Sequence, residues 1–403
     1  MKPNFPNSLI TFVRTQFGTD GFIPLHEPRL GAREKACVLE ALESGFVSSV
    51  GRHVGEFETA VAAYTGAAFA VATVNGTSAL HVALRLAGVQ PGEAVITQSL
   101  SFVATCNAIR YCNAEPVFVD VERATLGMSP ESLEAWLDAH AERGDDGLCR
   151  NRATGQVIRA CVPMHTLGHP VRIERIATVC EAWGLELVED AAESLGSFDQ
   201  GRHTGLRGRL GVLSFNGNKI ITTGGGGMIL TDDAALAARA RHLTTTAKTP
   251  HPYRFDHDEV GFNYRMPALN AALGCAQMEA LPGFLEQKRA LAERYRAWFE
   301  GQGVAFVVEP SGARSNYWLN AFFTDDRAQR DALLEATNAQ GVMTRPLWTP
   351  MHRLPMYASC PRADLPETEW LEARLVNIPS SAAPRGQTPA SRGQTPVLPS
   401  KGV

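Results

Sequence analysis

Along the first two-thirds of the chain, short apolar runs alternate with stretches in which apolar residues return every three or four positions. AVIT (94–97), PVFVDV (116–121), IRACVPM (158–164) and LELVED (185–190) read as buried strands. GAREKACVLEALES (31–44) reads as an amphipathic helix stopped at Gly45, and TSALHVALRLA (77–87) as another closed by Gly88. Strands separated by helices predict right-handed βαβ units and a mainly parallel sheet. Such sheets carry their sites at the carboxyl ends of the strands, where Asp120, His165 and Asp190 fall.

Beyond the glycine run at 224–227 the texture changes. Residues 244–263 are polar and irregular and read as a long loop. Two helices are expected at 267–280 and about 283–301, then a strand at 316–323, a helix at 327–338 and a strand at 341–348. The expected organisation is a large α/β domain over residues 1–255, with an N-terminal helix segment, and a small α+β domain over 256–382. Residues 383–403 hold RGQTP twice, at 385–389 and 392–396, and read as a flexible tail.

Composition narrows the classes. The chain has 403 residues, 44% hydrophobic and 20% charged, with 36 Gly and 24 Pro, as an ordinary globular enzyme has. Lys plus Arg number 38 against 42 for Asp plus Glu, so no nucleic-acid partner is expected. The eight cysteines form no C-x-x-C pair, which argues against a zinc ribbon or a redox site. Cys161 and Cys275 sit in apolar runs and read as buried reduced thiols. His165 and His169 lack the Glu and the helix of a zinc protease, and no metal is expected. The N-terminus is broken by Pro and Arg, and no apolar stretch is long enough to span a bilayer. Cytoplasm is the expected compartment, with no membrane partner.

Four local patterns carry candidate chemistry. In VNGTSAL (74–80), Gly76 and Thr77 open a helix whose free N–H groups suit a phosphate, or the segment is a plain N-cap. In VEDAAESLGS (188–197), Asp190 ends a strand and could keep a cofactor's ring nitrogen protonated, or cap the next helix; Glu193 could reach the same ring or complete a capping box. In LSFNGNKIITTGGGGMILT (213–231), Lys219 lies in an uncharged, glycine-rich stretch suited to Schiff-base chemistry, with Ser214 five residues earlier. A P-loop needs the glycines before the lysine, and here they follow it. In HDEVGFNYRMPALNAALG (257–274), Asn263 and Arg265 read as loop polar groups before a helix with Pro267 near its first turn. Phe102, just past a strand end, reads by itself as packing.

Taken in order, these residues resemble the DegT/StrS family of pyridoxal-phosphate sugar aminotransferases, over about Ile23 to Ser381. The wording is similar to the branch that aminates 4-keto-6-deoxy-N-acetylhexosamine nucleotides for bacillosamine and legionaminic acid. IPLHEP (23–28), FVSSVG (46–51), SFNGNKIITTGGGGMI, NYWLN (316–320) and TRPLW (344–348) carry that likeness. The resemblance implies the fold-type I aminotransferase fold, a large α/β domain with a mainly parallel mixed sheet and a smaller α+β C-terminal domain. It implies pyridoxal 5'-phosphate as cofactor, Schiff-bonded to Lys219, with Asp190 on the ring nitrogen and Glu193 near the ring hydroxyl. Phe102 would stack on the ring, and Gly76, Thr77 and Ser214 would cradle the phosphate. Asn263 would reach the phosphate of the neighbouring subunit, implying a homodimer with shared sites.

The implied partners are L-glutamate, leaving as 2-oxoglutarate, and a UDP-linked 4-keto sugar aminated at carbon 4. Ser48, Ser49, His165, Trp318, Arg345 and His352 are the candidate sugar-site residues. Rival readings are a GDP-perosamine-type or 3-keto sugar aminotransferase, a sugar dehydratase, and a non-catalytic sugar-nucleotide-binding regulator. Dehydrating relatives carry His in place of the Schiff-base lysine, and a dead member should have lost Lys219 or Asp190; both are present.

Overall fold

The computed structural model describes residues 4–382. The RGQTP repeats lie outside the described residues. The central sheet runs, edge to edge, through Phe69–Thr73, Gly227–Thr231, Leu210–Ser214, Glu186–Asp190, Val157–Val162, Ala94–Gln98 and Glu115–Val119. Gly227–Thr231 is antiparallel to both its neighbours, and the other pairings along this path are parallel. The mixed α/β architecture expected from the pattern is therefore present. Its strands are buried along nearly their whole length, because helices cover both faces.

Helices Ala32–Glu43 and Gly76–Leu86 fall within a residue of the expected spans. The region after Ala268 differs from the expectation in one respect. A single helix, Ala268–Gln302, replaces the expected pair and runs through Pro282. A proline inside a helix costs about 3 kcal/mol. Here Ala271, Ala272, Leu281, Phe284, Leu285, Leu291, Tyr295 and Phe299 are buried on both sides of it, and packing outweighs that local cost.

The C-terminal elements make a small antiparallel sheet of Asn320–Phe323, Leu375–Ile378 and Arg345–Pro346, with helix Arg327–Ala339 against it. The two expected strands in this region are longer than the observed ones. Residues 315–319 are held instead by side-chain bonds in an irregular turn with Tyr317 at φ +48°. The N-terminal helix Phe5–Phe17, expected with the large domain, packs on these C-terminal elements: Phe5 meets Trp298, Phe299 and Phe322. All eight cysteines are free, and all but Cys275 are buried. Among the described residues no helix is long and apolar enough to cross a membrane.

Candidate active site

Asp190 is the last residue of Glu186–Asp190, and its carboxyl is almost fully buried. Thr105 Oγ1 donates to Asp190 Oδ2 at 2.7 Å and the Ala192 N–H donates to Oδ1 at 3.1 Å. Burial pushes this carboxyl up from its usual value, and the Thr105 bond pulls the other way. Thr105 lies one turn into helix Val103–Tyr111, whose N-cap is Phe102. The same turn thus ties Asp190 to an aromatic that is 47% exposed, edge-on to Trp348.

Helix Gly76–Leu86 begins beside the end of Leu210–Ser214. Asn75 caps it, accepting from the Ser78 N–H at 2.7 Å. Helix geometry leaves the N–H groups of Gly76 and Thr77 without an intrahelical acceptor. A Cβ on Gly76 would lie 3.0 Å from Ser214 Cβ and 3.2 Å from its Oγ, so only glycine allows this approach comfortably. Gly76, Thr77 and Ser214 together form a small concave set of donors at a positive helix end.

Lys219 occupies the turn after Leu210–Ser214, its N–H bonded to Asn216 O at 3.0 Å. Its ammonium meets Glu193 Oε1 at 3.2 Å and lies over the Trp318 ring, 4.2 Å from the centroid. Glu193 is buried, and the Leu167 N–H donates to its other oxygen at 2.9 Å. Burial pushes Glu193 up to about 7, against the pull of Lys219. The Lys219 charge lowers both carboxyls, and the Asp190 charge raises Glu193. Asp190, Glu193 and Lys219 thus gather after the carboxyl ends of two neighbouring parallel strands, Glu186–Asp190 and Leu210–Ser214.

Other expected residues stand differently. His165 is fully buried, with Nε2 on Glu189 at 2.9 Å and Nδ1 accepting from the Val171 N–H at 3.2 Å. Both of its ring nitrogens are thus engaged within the protein. His352 is similarly engaged, bonded to Ser99 Oγ at 2.7 Å and Glu369 at 2.9 Å. Ser48, Ser49 and Arg345 are exposed, and Asn263 is exposed beside its backbone bridge to Thr245. Arg265 is structural: it pairs with Glu58 at 2.6 Å and donates to Ala72 O, fastening the loop to the sheet edge.

Sequence reading missed Thr105, Asn316 and His26. Thr105 was visible three residues after Phe102, one helical turn away. Asn316 opens NYWLN and donates to the carbonyls of Glu193 and Leu195, both at 2.9 Å. His26 bonds the Asn218 backbone, and burial together with Lys288 and Lys219 drives its pKa well below the usual imidazole value. Nothing in the spacing of IPLHEP signals that partner.

These residues fit a pyridine ring carrying a phosphate and an aldehyde. The glycine approach at Gly76, the open donors beside it, the buried carboxyl of Asp190 and the partly buried lysine are the features such a group needs. A model of the DegT/DnrJ/EryC1/StrS aminotransferase family matches residues 28–387. EpsN of Bacillus subtilis (strain 168), whose name designates a pyridoxal phosphate-dependent aminotransferase, is 37% identical over 336 residues, 83% of this chain and 84% of that one. The GDP-perosamine synthase of Caulobacter vibrioides is 35% identical over 368 residues, 89% of this chain and 93% of its own. The crystal structure of a DegT DnrJ EryC1 StrS aminotransferase from Brucella abortus superposes with a TM-score of 0.79 at 29% identity, over 86% of this chain and 90% of that one.

Proposed function

The chain belongs to the DegT/DnrJ/EryC1/StrS aminotransferase family, and from that premise we propose that it moves the amino group of L-glutamate to carbon 4 of a nucleotide-linked 4-keto-6-deoxy sugar. It is a pyridoxal-phosphate-dependent sugar aminotransferase. The observation that supports the cofactor chemistry of this reading is the convergence of the partly buried Lys219 with the buried carboxyls of Glu193 and Asp190.

In this proposal Asp190 holds the proton on the ring nitrogen, with Thr105 and Ala192 fixing its carboxyl plane. Gly76, Thr77 and Ser214 receive the phosphate, and Phe102 covers one ring face. When bound, the cofactor supplies the electron sink for the charge left on the donor's α-carbon. Lys219 Nζ takes the α-proton and returns a proton, acting as base and then acid. Glu193 keeps that amine aimed. Asn263 reaches the phosphate of a second copy, so the active unit is a homodimer; the exposed apolar residues Leu39, Leu42, Phe46, Val47 and Val50 suit a covered face.

The acceptor we favour is UDP-2-acetamido-2,6-dideoxy-4-hexulose, supported by the FVSSVG, NYWLN and TRPLW wording of the bacillosamine and legionaminic acid branch. The GDP-perosamine synthases among the relatives favour a GDP-linked acceptor as the second reading. The test is a visible spectrum of the purified protein. A yellow band that bleaches with L-glutamate, and is absent in Lys219→Ala, is the expected result. Recovery of the band is then followed with the UDP-linked and the GDP-linked keto sugar in turn. A protein that stays colourless when given pyridoxal phosphate would overturn the reading, and recovery with the GDP sugar alone would transfer it to the second acceptor.

A further inference from the structure

Trp318 is a buried aromatic in contact with Lys219. Its ring is 4% exposed and lies under the Lys219 ammonium, Nζ to centroid 4.2 Å. The same indole donates through Nε1 to the carbonyl of Asn218 at 2.7 Å, one residue before the lysine. One side chain therefore holds both ends of Lys219.

That side chain is itself braced. The Trp318 N–H donates to Asn316 Oδ1 at 2.7 Å, and Asn316 is bonded in turn to the backbone beneath Glu193. The Trp318 carbonyl accepts from Lys288 Nζ at 3.1 Å, and Lys288 also donates to Ser380 O. Lys288 is fully buried on the long helix. Tyr317, next in the chain, is held in a left-handed backbone conformation that bulky residues seldom adopt. Gly168, at φ +91°, lets the same turn approach: a Cβ there would lie 1.9 Å from Asn316 Oδ1. Strain of this kind persists only where surrounding contacts over-determine it.

We propose that Trp318 is a positioning residue of the transamination: its ring face receives the Lys219 ammonium whenever that amine is free, and its Nε1–H fixes the backbone from which the lysine reaches. The inference rests on Lys219 being the lysine that bonds the cofactor and moves the proton. Such a lysine must be released and recaptured in every cycle. A free amine on a four-carbon stem has many rotamers to explore. An aromatic face attracts the cation without itself taking any of its protons. Glu193, 3.2 Å away, supplies the opposing charge and completes the seat. Trp318 thus serves the lysine rather than the sugar.

The test compares wild type, Trp318→Phe and Trp318→Leu as full-length, cofactor-free protein. Lys219 is labelled by reductive methylation at fixed neutral pH, its rate read by mass spectrometry against exposed Lys35. Without the ring face the amine is no longer held, so labelling in Trp318→Leu should speed up by about two- to five-fold. Trp318→Phe keeps a ring face at a side-chain volume close to that of Leu and should label at the wild-type rate. Equal rates in all three proteins, or equal acceleration in both variants, would overturn the ring-face role. Should Trp318→Leu fail to fold by circular dichroism, Trp318→Met takes its place with the same expected outcomes. Labelling needs no cofactor, so a missing glutamate-sensitive band would sink the transaminase reading without touching this result, and the converse holds.

Discussion

Thr105 shows what a single hydroxyl does at a buried carboxyl. Its bond to Asp190 Oδ2 at 2.7 Å favours the charged form that burial disfavours. Thr105→Val keeps the shape and removes the donor, at a cost of about 1.5–3 kcal/mol for a bond to a charged group. Glutamate-induced bleaching should then slow at least about ten-fold in stopped-flow; an unchanged rate would place Thr105 outside the machinery. Glu193 gives a pH prediction. Its folded value of about 7 lies above the ordinary 4.5, so between these values the folded cofactor-free chain holds more protons than the unfolded one. The associated stability is complete below about 4.5 and is lost as pH rises through about 7. Glu193→Gln has no such proton, so the gap in melting temperature between variant and wild type should move in the variant's favour from pH 5 to pH 8. A gap independent of pH would show that Glu193 does not titrate there. Lys219 and Asp190 were legible in the sequence because each ends or follows a strand in otherwise apolar surroundings. Their partners Thr105 and Trp318 come from distant segments, and no local spacing joins them.

Elements reveal where local preference yields to packing. The helices closed by Gly45 and Gly88 and the parallel strands were readable, because apolar period and glycine stops agree there. Two helices were expected where one runs through Pro282, since a residue that breaks isolated helices is outweighed by buried neighbours on both sides. NYWLNAFF also misled it. Its aromatic texture reads as strand, yet Asn316 and Ser315 capture backbone groups and bend the first four residues into a turn. The fit of that turn against residues 166–168 depends on Gly168. Gly168→Ala adds a Cβ 1.9 Å from Asn316 Oδ1 at φ +91°. It should destabilise the chain by about 2–4 kcal/mol, read by denaturant unfolding. A loss under about 0.5 kcal/mol, the range of neutral surface changes, would mean the turn moves away freely.

On the scale of the whole molecule, the first and last elements among the described residues meet across sequence. Helix Phe5–Phe17 packs with Phe299 and Phe322, so N-terminal and C-terminal elements share one core beside the central sheet. The proposed homodimer has a direct test. Lys219→Ala and Asn263→Ala, each inactive or impaired alone, should regain activity when unfolded together and refolded. In a mixed dimer one site has both Lys219 and a neighbour's Asn263, and with random pairing about a quarter of all sites are intact. No gain on mixing would place Asn263 in its own chain's site. The sequence by itself determined the α/β class, the order of strands and helices, the ordered motifs of the family and the lysine and carboxyl at strand ends. Those depend on local periodicity and on residues adjacent in the chain. Only the tertiary structure decided that Trp318 and Glu193 flank Lys219, that His165 is committed to Glu189, and that the first helix belongs with the last strands. Each is a contact between segments far apart in sequence, fixed by which buried surfaces pack and which buried polar groups find partners.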